Sequence, residues 1–270
     1  MPMAPGPAFI TGGSSGIGLA LALKLAARGH PLAIFARDTE KLHMARETIR
    51  AANPGIEVAI FPVDVSDGPA STAVFARALD ECGPPAWAIA SAGIAWPGLF
   101  LEEPLDVMQA QMDTNYGGSL RFAHALAPAM AQAGGGRIVF IASGAAFAGI
   151  YGYAGYGASK FAVRGLAESL RVELADMGIK VTLACPPDTD TPQLAAEQAL
   201  KPDVTKAITA RGGTLRAETV ADAILRAADA NRFLAAPGWQ MTALGYFHSV
   251  ITPAFRAWQI GIARKRKGAP

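Results

Sequence analysis

The chain has 270 residues, of which 51% are hydrophobic and 17% charged, with a net charge of +2. That apolar content suits a large buried core and excludes a disordered chain. Arg264, Lys265, Arg266 and Lys267 alone carry +4, so the rest of the chain sums to −2, which excludes a globally basic nucleic-acid surface.

Short apolar runs without polar alternation recur along the chain at Ala8–Ile10, Leu32–Ala36, Val58–Val65, Ala86–Ala92, Arg137–Ser143, Val181–Cys185 and Phe233–Ala235. They read as strands buried on both faces. Helical periods lie between them. Leu19, Leu23 and Ala26 share a face that stops at Gly29; Leu166, Leu170, Leu174 and Met177 share one that stops at Gly178. Strand–helix alternation predicts an α/β fold, a doubly wound parallel sheet of Rossmann type with right-handed crossovers, in a single domain over 1–238. Ligands of such a sheet bind beyond the carboxyl ends of the strands.

The first strand runs into Thr11-Gly12-Gly13-Ser14-Ser15-Gly16-Ile17-Gly18 and then a helix. Glycines there permit a tight turn and close approach of a pyrophosphate, and the helix start offers unpaired N–H groups. The second strand ends in Phe35-Ala36-Arg37-Asp38, with Lys41 four residues beyond Arg37. An arginine at this strand end suits a ribose 2′-phosphate, so NADPH is favoured over NADH; the other reading is a solvated charge paired with Asp38 or Glu40. Asp64, after the third strand, is placed either to meet an adenine amino group or to cap a helix or turn.

Ser143 closes the fifth strand, and Tyr156 and Lys160 follow one helical turn apart on a shared face. A nearby ammonium is expected to lower the tyrosine pKa toward neutrality, and the serine hydroxyl to polarise a carbonyl beside it. Tyr151 and Tyr153 read as part of a tyrosine-rich segment without a role. No metal site is expected.

On Thr11–Gly18, Asp64, Asn115 in Asn115-Tyr116-Gly117-Gly118, Ser143, Tyr156, Lys160 and the segment Pro186–Thr191, the sequence from about Ala8 to Pro237 resembles the short-chain dehydrogenase/reductase family. The resemblance implies Tyr156 as proton donor, Lys160 as its modulator and ribose contact, and Ser143 as carbonyl stabiliser. It implies Asn115 as a helix-kink residue holding a relay water. Cofactor contacts are implied at Gly12, Ser14, Ser15, Gly16, Ile17, Gly18, Val65, Ala92, Gly93, Pro186, Thr189 and Thr191, with a substrate lid over about 190–215 and association into a homo-oligomer. Two departures stand out. The usual Asn-x-Ala-Gly is Ala90-Ser91-Ala92-Gly93, which should loosen a tie between strands. The usual Pro-Gly is Pro186-Pro187, which should stiffen its loop.

That loop, with Tyr156–Glu168 and Lys201-Pro202, is similar to the branch of the family that reduces the 3-keto group of long-chain sphingoid bases with NADPH. A hydrophobic long-chain ketone is therefore the expected substrate. Other hydrophobic carbonyls (3-oxoacyl or steroid-like) and a non-catalytic NADP-binding regulator remain alternatives. Residues 239–270 form an extension in which apolar and aromatic side chains precede the Arg264–Lys267 cluster, and Pro253 should break any single helix. The extension reads either as a peripheral membrane contact or as a dimer-packing segment. With two cysteines, Cys82 and Cys185, and no secretory signal at Met1–Pro7, a cytoplasmic protein is expected. Peripheral contact with the cytoplasmic membrane face would be the extension's contribution.

Overall fold

The structure, a computed structural model, describes residues 5–267, and of Arg211, Arg266 and Lys267 only the backbone. Met1–Ala4, part of the segment read for a secretory signal, lie outside the described residues.

The first half alternates β1 (Ala8–Thr11), α1 (Gly16–Ala26), β2 (Leu32–Ala36), α2 (Thr39–Ala52), β3 (Val58–Pro62), α3 (Gly68–Cys82) and β4 (Trp87–Ala90). Then come α4 (Leu105–Met112), a π-helical turn at Asp113–Gly117, α5 (Gly118–Gln132), β5 (Gly136–Ile141), a 3₁₀ turn at Gly144–Ala146, α6 (Ala154–Glu173) and β6 (Ile179–Ala184). The chain continues through β7 (Asp188–Asp190), α7 (Pro192–Leu200), α8 (Asp203–Thr209), β8 (Thr214–Arg216), α9 (Ala217–Asp229), β9 (Leu234–Ala235) and α10 (Trp239–Lys267).

Seven strands form one sheet in the order β3-β2-β1-β4-β5-β6-β9, parallel throughout. Side chains alternate across it, so each strand feeds two cores. Phe9, Phe35 and Phe140 point to the face covered by α3, α5 and α6, where the Phe35 ring lies 5.1 Å from Phe61 and 5.5 Å from Phe75. Ile10, Ile34 and Val139 point to the face covered by α1, α2 and α9. Strand order reverses between β1 and β4, which puts the ligand crevice at their carboxyl ends.

Several elements depart from their sequence expectations in detail. Strands end earlier than their apolar runs: β3 stops at Pro62, β4 at Ala90 and β5 at Ile141. Apolar residues beyond those points line loops over the core, so hydrophobicity alone overextends the strand. The buried face of α1 is Leu21, Ala22 and Leu25, not Leu19, Leu23 and Ala26 as a set, because α1 is enclosed by the sheet and by α9 and has little polar face to betray its phase. Leu174 is buried, but Met177 is half exposed in a 3₁₀ turn closed by Gly178 in the left-handed region. The lid segment is α7 and α8, with β7 and β8 paired as a small parallel ribbon. α10 departs from helical geometry at Phe247, six residues before Pro253.

Candidate active site

The turn from β1 to α1 is packed too closely for side chains. A Cβ on Gly18 would lie 2.2 Å from the Gly12 carbonyl oxygen, and one on Gly12 would lie 2.9 Å from the Ala92 nitrogen. Gly12 and Gly16 have φ of +67° and +54°, a region that favours glycine. A Cβ on Gly16 would meet Thr191 at 3.0 Å, so the loop after β6 closes down over the glycine turn. Ser15 caps α1 without committing its side chain, and the first-turn N–H groups of Ile17 and Gly18 have no side-chain cap. Ser14 is half-buried beside it. This bare cradle fits a pyrophosphate at a helix start.

The ends of β1 and β4 are tied by a threonine. The Thr11 hydroxyl accepts from the backbone N–H of Ser91 (3.1 Å) and Ala92 (3.2 Å), joining the ends of β1 and β4. Gly93 is equally confined, since a Cβ there would lie 2.9 Å from the Asn115 side-chain oxygen.

Arg37 sits at the β2 end with its side chain 65% exposed. Its partner is Asp64 at 3.7 Å, rather than Asp38 or Glu40. Asp38 instead caps α2 through the Lys41 amide and meets the Lys41 ammonium at 3.4 Å. Both cations are solvated and loosely held, as a phosphate site requires. Asp64 also accepts from the Ser66 amide (2.9 Å) and hydroxyl (2.7 Å). Partial burial opposes its ionisation, but Ser66 and Arg37 outweigh that and hold its carboxyl below the usual range. Val65 is buried against Gly118, and its carbonyl accepts from Arg121.

At the β5 end, Ser143 lies two residues past the strand and caps the 3₁₀ turn by accepting from Ala145 N–H at 3.2 Å. Tyr156 and Lys160 stand one turn apart on α6, with the Lys160 Nζ 5.6 Å from the Tyr156 ring centre. Lys160 donates to the Ile141 carbonyl at 3.0 Å and is buried. Burial lowers its pKa to about 8. The expected lowering of the Tyr156 pKa is not found. Burial raises it, the negative charges of Glu197 and Asp188 raise it further, and the hydrogen bond to Ser143 offsets only part. Desolvation of a phenolate therefore outweighs the neighbouring ammonium here.

Asn115 occupies the π-helical turn, a bulge that opens the ladder between α4 and α5. Its side chain accepts from Ile94 N–H (2.8 Å) and donates to the Ile94 carbonyl and to Ser159 Oγ (both 2.9 Å), tying this turn to α6. Pro186 accepts from Gly144 N–H at 3.2 Å, and Thr189 donates to the Pro187 carbonyl, so the double-proline loop is fixed beside Ser143. Thr191 caps α7 through Leu194 N–H.

Gly12, Ser15–Gly18, Ala92, Gly93, Ser143, Tyr156, Lys160, Pro186, Thr189 and Thr191 line one cleft of about 520 Å³ that runs from the glycine turn to the lid, whereas Ser14, Arg37, Lys41, Asp64, Val65 and Asn115 lie off its lining. Its outer wall is α10, contributing Met241, Leu244, Ile251, Phe255 and Trp258. Gln259 anchors that helix, accepting from Tyr151 N–H and donating to the Gly149 carbonyl, both at 2.9 Å. The extension thus folds back on its own chain, an arrangement that neither expectation for it contained. Its inner residues recur at steps of three, seven, four and three residues, all on one helical face, a signal present in the sequence. Tyr153 is also no bystander: it is buried, lines the cleft and donates to Glu197 at 2.9 Å. Nothing in the sequence singled out Glu197.

Residues 7–201 match the family described as short chain dehydrogenase. The chain belongs to that family. This short-chain dehydrogenase is 41% identical over 228 residues to a 3-dehydrosphinganine reductase of Arabidopsis thaliana, covering 83% of this chain and 67% of that one. It is 37% identical over 246 residues to the 3-dehydrosphinganine reductase of Danio rerio, covering 90% and 73%. In fold it superposes on a short-chain dehydrogenase from Sphingobium yanoikuyae in complex with NADPH, with a TM-score of 0.78, 26% identity and coverage of 98% and 96%.

Proposed function

We propose that this short-chain dehydrogenase reduces the 3-keto group of a long-chain sphingoid base, 3-dehydrosphinganine, to the secondary alcohol with NADPH. The observation that carries the reading is one cleft holding the glycine cradle, Ser143, Tyr156 and Lys160 against an apolar wall suited to an alkyl chain. The relatives named 3-dehydrosphinganine reductases support the substrate, and Arg37 and Lys41 at the β2 end support the 2′-phosphate.

The nicotinamide, when bound, supplies the hydride. Tyr156 gives its hydroxyl proton to the ketone oxygen, and Ser143 holds that oxygen beside it. Lys160, kept dry and oriented by the Ile141 carbonyl, stabilises the tyrosinate that remains. Asn115 ties the π-helical turn to α6 through Ser159, and its backbone would be the place for a relay water. Gly12, Ser14, Ser15, Gly16, Ile17 and Gly18 would hold a pyrophosphate, Asp64 and Val65 an adenine, and Ala92, Gly93, Pro186, Thr189 and Thr191 a ribose and nicotinamide.

The enzyme acts in the cytoplasm at a membrane face. Trp239, Tyr246, Phe247 and Val250 form an exposed apolar stripe on α10, with exposed Arg264 and Lys265 at its far end. Copies associate as a homo-oligomer; Phe161 and Val172, exposed on the outer face of α6, supply apolar surface for it. The reading is tested by NADPH oxidation with 3-dehydrosphinganine. Tyr156→Phe should slow turnover by roughly 10²–10⁴-fold with little change in NADPH binding. Near-normal turnover of that variant would remove Tyr156 as the acid, and no oxidation by the wild type would remove the function.

A further inference from the structure

The cleft contains a second polar group that the reduction itself does not use. Glu197, on α7, is 8% exposed and lines the same cavity as Tyr156. One of its oxygens accepts from the Tyr153 hydroxyl at 2.9 Å, the other from the Gln193 side-chain amide at 3.1 Å. Both donors are neutral. Among the described residues no cation lies within 4 Å of Glu197. Lys201, a buried ammonium whose charge acts on Glu197, is committed to Asp188 at 3.1 Å. Asp188 thus has a cation in contact, and Glu197, among the described residues, feels Lys201 only at longer range. A buried carboxylate without a cation is costly, and burial raises its pKa against the pull of its two donors. Each oxygen retains a lone pair for a further donor.

Its position relative to the chemistry is also defined. The Tyr153 ring that holds Glu197 lies 5.4 Å, centre to centre, from the Tyr156 ring. The carboxylate is therefore bonded to the ring that neighbours Tyr156. A sphingoid 3-ketone bears an amine on the carbon next to its carbonyl. As an ammonium it offers three donors and the charge that Glu197 lacks.

We propose that Glu197 is the specificity-determining residue of this cleft, receiving the ammonium that the substrate carries beside its ketone. The inference rests on the sphingoid-base reading above. Rate is affected as well as binding. The negative charge of Glu197 opposes formation of the Tyr156 phenolate, and a bound ammonium cancels that opposition. An amino ketone thus meets a stronger acid than a neutral ketone does.

The experiment compares kcat/KM for 3-dehydrosphinganine with that for the same molecule bearing hydrogen in place of the amine. The wild type should prefer the amino ketone, and Glu197→Gln should reduce that preference at least about tenfold, the low end for removal of a charge-assisted hydrogen bond. A variant in which both ketones slow equally, or neither slows, overturns the assignment, since a merely structural role would not change the ratio. The wild type gives an independent reading if the variant folds poorly. Dihydrosphingosine should compete with substrate at least about tenfold more tightly than the corresponding nitrogen-free diol, and equal competition overturns the assignment. A wild type that reduces both ketones equally leaves the reductase standing and removes Glu197, whereas a wild type that reduces neither removes the function itself.

Discussion

Burial acts on Tyr156 and Lys160 in opposite directions because their charged forms carry opposite sign: it raises the phenol and lowers the ammonium to about 8. Lys160 is thus charged below about pH 8 and loses its proton above it, well before an exposed lysine would. The tyrosinate formed by proton donation is stabilised only by the charged form. Ketone reduction should therefore fall as pH rises through about 8, and Lys160→Met should lack that limb as well as being slower. A flat kcat/KM profile from about pH 6 to about pH 10 would contradict this role. Arg37 gives a second residue-scale prediction. Its side chain is exposed and held only by a 3.7 Å contact with Asp64, so it can turn to a 2′-phosphate at little cost. Arg37→Asp should shift preference toward NADH by about 2 kcal/mol, read from the ratio of kcat/KM for the two cofactors. A wild type that already prefers NADH would show that Arg37 serves only its ion pair.

α10 carries two stripes with different work. Met241, Leu244, Ile251, Phe255 and Trp258 face the cleft, Tyr246, Phe247 and Val250 face outward, and the exposed Trp239 borders the cleft mouth. The break at Phe247 lets the two halves follow the curved wall. Pro253, with no N–H to donate to Ser249, weakens the ladder in the second half, yet the departure from helical angles lies one turn and more before it. The inner stripe was readable as spacing, but the sequence could not say which surface it covers. If it is the alkyl wall, Phe255→Ala together with Met241→Ala should raise KM for a long-chain ketone roughly 10-fold or more relative to a short-chain ketone, because the alkyl chain then has less apolar surface to lie against. Equal effects on both chain lengths would make the stripe a scaffold rather than a wall.

Over the whole molecule, the outward stripe of α10 and the basic end lie on the element that also walls the substrate cleft. Among the described residues no helix is long and apolar enough to cross a membrane. Surface contact is the arrangement such a stripe supports, with each basic residue near an anionic lipid surface adding about 1 kcal/mol. Replacing Arg264, Lys265, Arg266 and Lys267 by Gln should weaken cosedimentation with phosphatidylserine vesicles at low salt and leave reduction of a short soluble ketone in place. The side chains of Arg266 and Lys267 lie outside the described residues, so their share is an expectation from sequence alone. Absence of wild-type binding at low salt would assign the stripe to contact between copies of the chain.

The sequence by itself determined the seven strands of the main sheet and the helical alternation between them, the glycine turn, and the spacing of Ser143, Tyr156 and Lys160. Each of these is written locally: an unbroken apolar run, a 3.6-residue period, or a turn that only glycine fits. It did not determine the phase of α1, whose two-sided burial erases the polar face that would mark it. It did not reveal that Thr11 ties β1 to β4, because a threonine in a strand has many uses. Tertiary structure alone decided the outer half of the site. Glu197 joins Tyr153 across 44 residues, and Gln259 joins Gly149 across 110. Such pairings depend on how α7 and α10 fold over the end of the sheet, a matter of long-range packing that no local period records.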